Sequence, residues 1–413
     1  MPTIKAFKAI HPSAAYAGKV VSTIEDMSLE TAKKIRNSNP CSFIHLLVPE
    51  IHSEVKNEEK KDLVFNQINE NLKSFLRKGI LVPEEGPSVY IYQLVRDSRS
   101  FTGIWTMTLI DDYAKGILKR HEHTRPEREV QLATYLEKTG IDANPVLVTY
   151  RSSPSINERI SSAMELSPAL EFQKDKEIHK LWKIDNPSEL DELLQAFLSV
   201  DTAYIADGHH RVAAALNYGL KKRSEVTIWD GSEEFNYFSS VYMSDDQLII
   251  NSFDRLVKGL KDFTPDMFLE KLKQGFEVTG IQNYAKPDNN QIALYMNKCW
   301  YNLEIKAGLL SNSKFADTLA VSILHEHILK PLLDISDFES SERLSFISSN
   351  YPNAVIEERV DSGEFDLFFS INPITINDLF KVADSGEILP PKSTLFEPKF
   401  PVGLLIHHID LFC

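Results

Sequence analysis

The stretch that decides the fold is Ala203-Tyr204-Ile205-Ala206-Asp207-Gly208-His209-His210-Arg211, followed at once by Val212-Ala213-Ala214-Ala215-Leu216. Its first four residues are typical of a short buried strand, and the residues after Arg211 are typical of a helix. A glycine between the two lets the main chain turn sharply and approach a ligand closely. The first amides of the helix then point at one spot, where the helix dipole favours an anion. The stretch therefore predicts an anion site at a strand–helix junction.

The side chains of this stretch suggest phosphate as the anion. Arg211 carries a planar fork that matches two phosphate oxygens. Asp207 would hold a ribose hydroxyl, a metal or a histidine. In the structural alternative, Asp207 caps the helix and the histidines are surface groups. Two adjacent histidines and an arginine beside a buried strand favour the functional interpretation. The predicted phosphate-binding residues are Gly208, His209, His210 and Arg211.

A second polar cluster, His121-Glu122-His123-Thr124, precedes a predicted helix. If residues 117–123 are extended, His121 and His123 share one face and Glu122 lies on the other. One interpretation makes the two histidines metal ligands, with a third ligand from the Asp207–Arg211 stretch. Another makes Glu122 a general base whose polar neighbours position phosphates. A solvated turn is the third. The base interpretation gives a catalytic set of Glu122, His123 and Asp207, with Thr124 as a nucleotide contact.

A third candidate is Pro390-Pro391-Lys392-Ser393-Thr394. Lys392, Ser393 and Thr394 stand side by side on a proline-stiffened main chain and are suited to bind an anion. The segment lacks the glycines of a P-loop, so a Walker A motif is rejected. His325-Glu326-His327, by contrast, lies in an apolar stretch predicted to be one helix over 316–333. Positions i and i+2 of a helix point about 200° apart, so this pair is predicted to be structural.

Composition excludes several classes of protein. The chain has 413 residues and a net charge of −14, which argues against nucleic-acid binding because phosphate backbones attract clustered Lys and Arg. Three scattered cysteines form no CxxC pair, so neither a disulfide framework nor a thiolate zinc site is expected. Neither a signal peptide nor a membrane-spanning apolar run is evident. We therefore expect a cytoplasmic protein without a membrane partner, and a homo-oligomer stays open.

Helix and strand patterns alternate along the chain, which predicts an α/β or α+β fold. We divide it into a mainly helical region at 1–86, a core at 87–245 with an insertion at about 151–200, and a C-terminal α+β region at 246–413. Asp111-Asp112-Tyr113 is predicted to be a turn. The predicted helices are Ser28–Arg36, Glu58–Lys78, Pro126–Lys138 and Ser188–Val200, and the predicted strands are 88–95, 101–110, 145–150, 292–295 and 300–305.

Several of these segments, in this order, resemble the bacterial and archaeal family called domain of unknown function 1015. The sequence departs from the family at Val21-Ser22-Thr23-Ile24, where a Pro-Pro-Tyr-Asp-like segment is expected. It departs again at Asn251-Ser252-Phe253-Asp254-Arg255, where a histidine-arginine stretch is expected. The resemblance is carried by Asn39-Pro40-Cys41-Ser42-Phe43-Ile44-His45, Asp112-Tyr113, His121–Thr124, Ala206–Arg211, Pro390–Thr394 and Pro398-Lys399.

More distantly, residues from roughly 115 to 220 resemble the ParB/sulfiredoxin-like superfamily, and its free serine kinases most. The matching elements are His121-Glu122, Pro145-Val146-Leu147-Val148 and Asp207–Arg211, with the insertion at about 151–200 between the last two. The resemblance implies a ParB/sulfiredoxin-like nucleotide-binding core embedded between N- and C-terminal α+β regions. It also implies that the glutamate deprotonates a substrate hydroxyl while the turn and helix start bind nucleotide phosphates.

These observations predict phosphoryl transfer between ATP or ADP and a small hydroxyl or phosphorylated metabolite, with serine or phosphoserine as the specific expectation. Mg²⁺ would neutralise phosphate charge, and Lys392 would assist at the transferred group. A phosphatase would use the same site with water as the acceptor. A nucleotide- or amino-acid-sensing regulator would bind without turnover. A metal-dependent hydrolase would use His121, His123 and either His209 or His210.

Overall fold

The computed structural model describes residues 1–24, 27–47, 58–310, 314–336, 338 and 341–411. The chain forms two compact units. Unit 1 comprises Met1–Lys119, Thr124–Leu248 and Pro398–Cys413, and unit 2 comprises Arg120–His123 and Ile249–Glu397. Each unit is therefore assembled from separate stretches of the sequence.

Over its described residues up to Leu248, unit 1 contains twelve strands and eight helices. The helices are α1 (Ala17–Val20), α2 (Leu29–Ser38), α3 (Glu58–Arg77), α4 (Ile110–Ala114), α5 (Pro126–Thr139), α6 (Pro154–Met164), α7 (Pro187–Phe197) and α8 (His209–Glu225). The strands are β1 (Ile4–Lys5), β2 (Ile10–Pro12), β3 (Leu81–Pro83), β4 (Val89–Arg96), β5 (Arg99–Leu109), β6 (Leu118–Lys119), β7 (Ile141–Asp142), β8 (Val146–Tyr150), β9 (Leu170–Lys174), β10 (Glu177–Ile184), β11 (Ala203–Asp207) and β12 (Tyr237–Ser244).

The main sheet of unit 1 is mixed and runs in the order β6-β11-β8-β12-β5-β4-β10-β9, with β1 added on β5. The β8–β12 and β6–β11 pairs are parallel, and the other pairs are antiparallel. All five residues of β8 are buried, as expected for a strand covered on both faces. β11 lies between β6 and β8, but β6 pairs only with its first two residues, so its end at Asp207 is paired with β8 alone.

The helix signals in the sequence act as predicted in unit 1. The Ser28 hydroxyl accepts the Thr31 amide at 3.1 Å and caps α2, which confirms the predicted start of this helix. α5 begins at Pro126 and is capped after Thr139 by Gly140, whose φ of 66° is the left-handed conformation that closes many helices. The predicted strands around β4, β5 and β8 are confirmed as well.

Unit 2 is built on a six-stranded antiparallel sheet in the order β15-β17-β16-β19-β14-β18, and a separate pair joins β13 to β20. One face of the sheet packs into a core that contains Leu256, Tyr295, Trp300 and Phe368. The strands are β13 (Ile249–Asn251), β14 (Phe253–Val257), β15 (Phe276–Ile281), β16 (Gln291–Met296), β17 (Cys299–Ile305), β18 (Leu344–Ser348), β19 (Leu367–Ile371) and β20 (Leu395–Glu397), and the helices are α9 (Pro265–Leu272), α10 (Ala320–Leu324), α11 (Asn353–Asp361) and α12 (Ile376–Asp384).

The chain re-enters unit 1 at Pro398 and ends there in β21 (His407–His408), which pairs with β7. The Ile406 amide also donates to the Ile10 carbonyl at 2.8 Å. The predicted mixed α/β class is confirmed. None of the helices in the described ranges combines the length and apolar character needed to cross a membrane.

Two local predictions are wrong, and one hairpin was not predicted. The predicted turn at Asp111-Asp112-Tyr113 lies inside α4, because Arg223 donates to both oxygens of Asp111 and Asp112 accepts the Thr3 amide. The predicted helix over 316–333 is interrupted at Leu319, which is extended, and continues as α10 and a π-turn at His325–Leu329. The β9–β10 hairpin inside the insertion was not predicted, because its strands carry many charged residues.

Candidate functional site

The junction between β11 and α8 requires glycine for two reasons. Gly208 has φ 101° and ψ 27°, a left-handed conformation that residues with a Cβ rarely adopt. A Cβ at this position would also lie 2.8 Å from the guanidinium of Arg211. Gly208 is the N-cap residue of α8, so the alternative in which Asp207 caps the helix is wrong. Gly208 has no side chain of its own with which to cap the helix.

Arg211 uses its guanidinium on acceptors within the protein. Its Nη1 donates to the Asn144 carbonyl at 3.1 Å and also contacts Asn144 Oδ1 and the Pro145 carbonyl. Its Nη2 lies 2.5 Å from Asp207 Oδ2. Arg211 thus ties the first turn of α8 to the segment that leads into β8. Direct contact with a phosphate, as predicted from the sequence, would require it to exchange some of these partners.

Asp207 is held between two cations. Besides its contact with Arg211, its Oδ1 lies 3.3 Å from the Lys399 ammonium. Burial alone would raise the pKa of Asp207, but attraction to Lys399 and Arg211 outweighs it and holds the pKa well below its usual range. The carboxylate is therefore ionised near neutral pH. One carboxylate between two cations leaves the junction with a net positive charge beside the positive end of the helix dipole.

The two histidines of the junction have different environments. His209 is buried, with 4% of its surface exposed. His210 Nε2 accepts the main-chain amide of Arg125 at 3.0 Å, so the neutral ring carries its proton on Nδ1. This bond places Arg125, and with it the neighbouring Thr124, beside the first turn of α8. The end of the second sequence motif is thereby brought to the first one within unit 1.

A cavity of about 920 Å³ in unit 1 reaches the same junction. Arg211, Asn144 and Arg125 line it, together with residues of α2, α5 and β12. This volume falls in the range of small-molecule sites. Among the described residues, six basic side chains and two acidic ones line the cavity, so an anionic ligand is favoured in spite of the acidic chain. These side chains are Lys33, Arg36, Lys61, Arg125, Arg128 and Arg211, and Glu127 and Asp142.

Within unit 2, the other two motifs of the sequence analysis meet. The Leu389 amide donates to the His121 carbonyl at 2.9 Å, and His121 Nε2 lies 3.3 Å from the Thr394 hydroxyl. The Lys392 amide donates to Glu122 Oε1 over a longer distance of 3.4 Å. The His121-Glu122 segment is thus attached to the proline-stiffened loop at two successive residues.

The premise behind the predicted His121–His123 metal pair is not met. Residues 117–123 are not one strand, because β6 ends at Lys119 and the chain bends at 121 and 122. His121 is buried and His123 is exposed, so the two rings do not share a face. A metal at these histidines stays a prediction without that geometric support.

The proline-stiffened loop presents its three polar residues differently. Ser393 is buried and donates its hydroxyl to the Pro390 carbonyl at 2.5 Å, which shapes the loop from inside. Lys392 is exposed, and its ammonium lies 5.1 Å from the centre of the Phe253 ring. Its φ of 57° is left-handed. Of the three, Lys392 is therefore the residue that presents a charged group outward.

Sequence reasoning missed two residues of the junction. Lys399 was quoted in the family resemblance, as part of Pro398-Lys399, but received no role. Asn144, whose carbonyl and Oδ1 both contact Arg211, carried no signal because a single asparagine has no sequence pattern of its own. The catalytic and binding roles predicted for the site residues stay predictions at this point.

Comparison with solved structures found weak likenesses. A mutant free serine kinase in complex with AMP has a TM-score of 0.40 and 16% identity, over 73% of this chain and 91% of that one. A conserved hypothetical protein from Pyrococcus furiosus has a TM-score of 0.39 and 16% identity, over 75% and 97%. C-terminally truncated SbnI from Staphylococcus aureus has a TM-score of 0.40 and 13% identity, over 73% and 87%.

No curated protein matches the chain significantly. A family model does match, and it covers residues 4–332, which is most of the sequence. This range contains the β11–α8 junction and the His121–Thr124 segment, although it ends before the proline-stiffened loop. The chain belongs to the family described as protein of unknown function DUF1015.

Proposed function

We propose that the chain is a nucleotide-dependent phosphotransferase that acts on a small hydroxyl-bearing metabolite, with serine or phosphoserine as the specific substrate. The observation that carries this proposal is the β11–α8 junction. A helix starts there at a left-handed glycine, beside an Asp207 flanked by Lys399 and Arg211. Main-chain amides, a helix dipole and a net positive charge together favour the phosphates of a nucleotide.

The residues of the junction would have different roles in nucleotide binding. The amides of Arg211 and Val212 both donate to the Gly208 carbonyl, so the preceding amides of His209 and His210 would be the ones to donate to phosphate oxygens. Lys399 would supply the cation that faces the phosphates, while Arg211 keeps the helix start in place through Asn144 and Asp207. The nucleoside would extend into the cavity of about 920 Å³ that Arg211 and Arg125 line.

Glu122 would be the general base. It stands three residues before Arg125, so their Cα atoms are at most about 11 Å apart. The Arg125 amide donates to His210 in the first turn of α8, so only three residues of chain separate Glu122 from a residue bound to that turn. The metabolite oxygen would attack the terminal phosphorus of ATP or ADP as its proton passes to the Glu122 carboxylate. The bond from that phosphorus to the bridging oxygen breaks, and the shortened nucleotide leaves with the electron pair.

Mg²⁺ would accompany the nucleotide. Carboxylate and phosphate oxygens are the ligands that this ion prefers. Both oxygens of Asp207 already accept from cations, Oδ2 from Arg211 and Oδ1 from Lys399. The phosphate oxygens therefore suit the ion better than Asp207 does, and when bound it would neutralise charge on the transferred group.

The first experiment is a binding screen of the purified chain against ATP, ADP, AMP and CTP, with and without Mg²⁺. A ligand of the native state at about a hundred times its Kd adds about 2.7 kcal/mol to the free energy of unfolding, which raises the melting temperature. We expect a shift with an adenine nucleotide that weakens in Lys399→Met. The absence of a shift with every nucleotide would remove the proposal.

The second experiment identifies the reaction. With ATP or ADP and serine, ³¹P NMR should show phosphoserine and the shortened nucleotide in equal amounts. Release of inorganic phosphate from phosphoserine without any nucleotide would identify a phosphatase instead. Tight nucleotide binding without turnover across a panel of hydroxyl metabolites would identify a regulator.

A further inference from the structure

The proline-stiffened loop contains a strained residue. Lys392 has φ 57°, a conformation that is unfavourable for any residue with a Cβ. Two hydrogen bonds hold it on either side. Its amide donates to Glu122 Oε1, and its carbonyl accepts from Nη2 of Arg255 at 3.1 Å. The strain therefore lies directly beside the proposed base, and the surrounding contacts must maintain it.

Arg255 is an unusual residue to find in the core of unit 2. It lies on β14, only 3% of its surface is exposed, and its guanidinium carbon is 5.5 Å from the centre of the Phe346 ring. Its hydrogen-bond acceptors are the carbonyls of Phe253 and Lys392. Among the described residues, no carboxylate forms an ion pair with it. Neighbouring Asp254 points to the opposite face of the strand, because side chains alternate along β14.

A buried guanidinium that lacks a carboxylate partner is expensive in free energy, and an apolar side chain of similar size is often at least as stable. Stability therefore does not account for Arg255. The effect of Arg255 is on geometry, because its guanidinium donates to the carbonyl of Lys392 and so fixes the orientation of that carbonyl. With that carbonyl fixed, the peptide plane on the other side of Lys392 directs its amide toward Glu122.

We propose that Arg255 is a positioning residue for Glu122. It keeps Lys392 in the left-handed conformation, and the Lys392 amide then orients the Glu122 carboxylate. The identification of Glu122 as a base rests on the proposed function, whereas the conformational link from Arg255 through Lys392 to Glu122 does not. The link makes a distinctive prediction. Glycine adopts positive φ freely, so a glycine at position 392 should need Arg255 much less than an alanine there does.

The test is a set of variants at both positions. Arg255→Met should lower kcat about tenfold to a hundredfold, the scale of a misplaced catalytic group, with the nucleotide Kd unchanged. Arg255→Lys, which keeps the charge and one donor, should lose less. Lys392→Gly and Lys392→Ala both lack the ammonium and form the matched pair. Added to Arg255→Met, Lys392→Gly should leave kcat near that of the Lys392→Gly single variant, whereas Lys392→Ala should lose the full further factor. Equal losses in the two double variants would overturn the proposal.

Hydrogen exchange without any ligand tests the link independently of turnover. Pro390 and Pro391 have no amide, so the amides of Leu389 and Lys392 are well separated in the loop. Arg255→Met should speed exchange at Lys392 but not at Leu389, whose amide donates to the His121 carbonyl. Adding Lys392→Gly should restore slow exchange at position 392. Faster exchange at both residues, unchanged by that addition, would mean general loosening and would overturn the link.

The two experiments separate the two proposals. A wild-type chain that turns over no nucleotide and hydroxyl metabolite, but shows the expected exchange pattern, would retain the link and lose the proposed function. A wild-type chain that turns over serine, but shows neither the exchange pattern nor the glycine rescue, would retain the proposed function and lose the role of Arg255.

Discussion

The β11–α8 junction of unit 1 and the proline-stiffened loop of unit 2 present polar groups in opposite ways. The junction is part of regular structure, since β11 is paired on both sides and α8 follows directly. The loop depends on single hydrogen bonds between side chains and the main chain, such as those to Lys392 and Ser393. Several ladder hydrogen bonds fix the main chain before the junction, so the loss of one has a small effect on its geometry. In the loop, the loss of a single hydrogen-bond partner changes the main-chain conformation. We therefore expect binding to depend on the first region and catalysis on the second.

Two carboxylates show the same contrast in their environments. Asp207 lies between Lys399 and Arg211, which hold its pKa well below the usual range. Asp254 is buried in unit 2 and its Oδ1 has no hydrogen-bond partner among the described residues, so burial raises its pKa to about 7. Unit 1 therefore keeps a negative charge at its site, while unit 2 favours the neutral form of its buried acid.

The largest effect is expected at Glu122. Glu122→Gln should lower kcat by about a hundredfold to ten-thousandfold, because the amide cannot accept the hydroxyl proton. Nucleotide Kd, measured by calorimetry, should stay close to that of the wild type. Glu165→Gln, at an exposed position directly after α6, is the matched control and should retain activity. A Glu122→Gln variant with full turnover would break the division between binding and catalysis.

Gly208→Ala tests the junction. The added Cβ meets the Arg211 guanidinium and forces positive φ on alanine, so the free energy of unfolding should fall by about 1–3 kcal/mol. Nucleotide affinity should fall as well, because the helix start moves. Gly280→Ala, on β15, meets no atom within 4 Å and should be nearly neutral. Urea titrations of both variants provide the measurement, and equal stability would contradict the proposed constraint.

Asp254 predicts a dependence of stability on pH. Its pKa is about 7 in the folded chain and about 3.9 in an unfolded one. Between these values the folded state holds a proton that the unfolded state has released, so stability falls as pH rises through this window. Asp254→Asn should not show this loss. The free energy of unfolding of the variant, relative to that of the wild type, should therefore rise by on the order of 1–3 kcal/mol from pH 5 to pH 8. The exposed Asp262→Asn variant should follow the wild type.

Lys399→Met should have the smallest effect. It removes the cation beside Asp207 and leaves the junction without net charge, so ADP affinity should fall about tenfold, as expected for one charge-assisted contact. The kcat should change little if Lys399 contributes to binding alone. Lys176→Met, in the exposed β9–β10 turn, is the matched control. A large loss of kcat without a change in Kd would reverse the roles that we assign to the two regions.

The sequence predicted the junction well because each of its features has a local signature. Gly208 marks a turn, and the apolar patterns around it mark a strand and a helix. The partners of Arg211 and Asp207 could not be predicted in this way. Main-chain carbonyls such as those of Asn144 and Pro145 carry no residue signature. Lys399 reaches Asp207 across 192 positions of the chain, a contact that only the tertiary fold determines.

Unit 2 shows the same limit. The strands β16 and β17 were predicted from their β-branched and aromatic residues, whereas the break at Leu319 was not, because the apolar spacing continues through it. The left-handed Lys392 had no signal either, since lysine has no preference for positive φ. Its conformation depends on Arg255, which lies far away in sequence.

The separation between Asp207 and Lys399 also has a consequence for synthesis of the protein. At usual rates of translation, the 192 positions between them take about 10 to 40 s to make. During that time β11 and α8 have left the ribosome, yet Asp207 lacks one of its two cations and β7 lacks its partner β21. A nascent chain would therefore bind nucleotide weakly until the segment after Pro398 has joined unit 1. A released chain truncated before Pro398 should therefore bind nucleotide more weakly than the 413-residue chain.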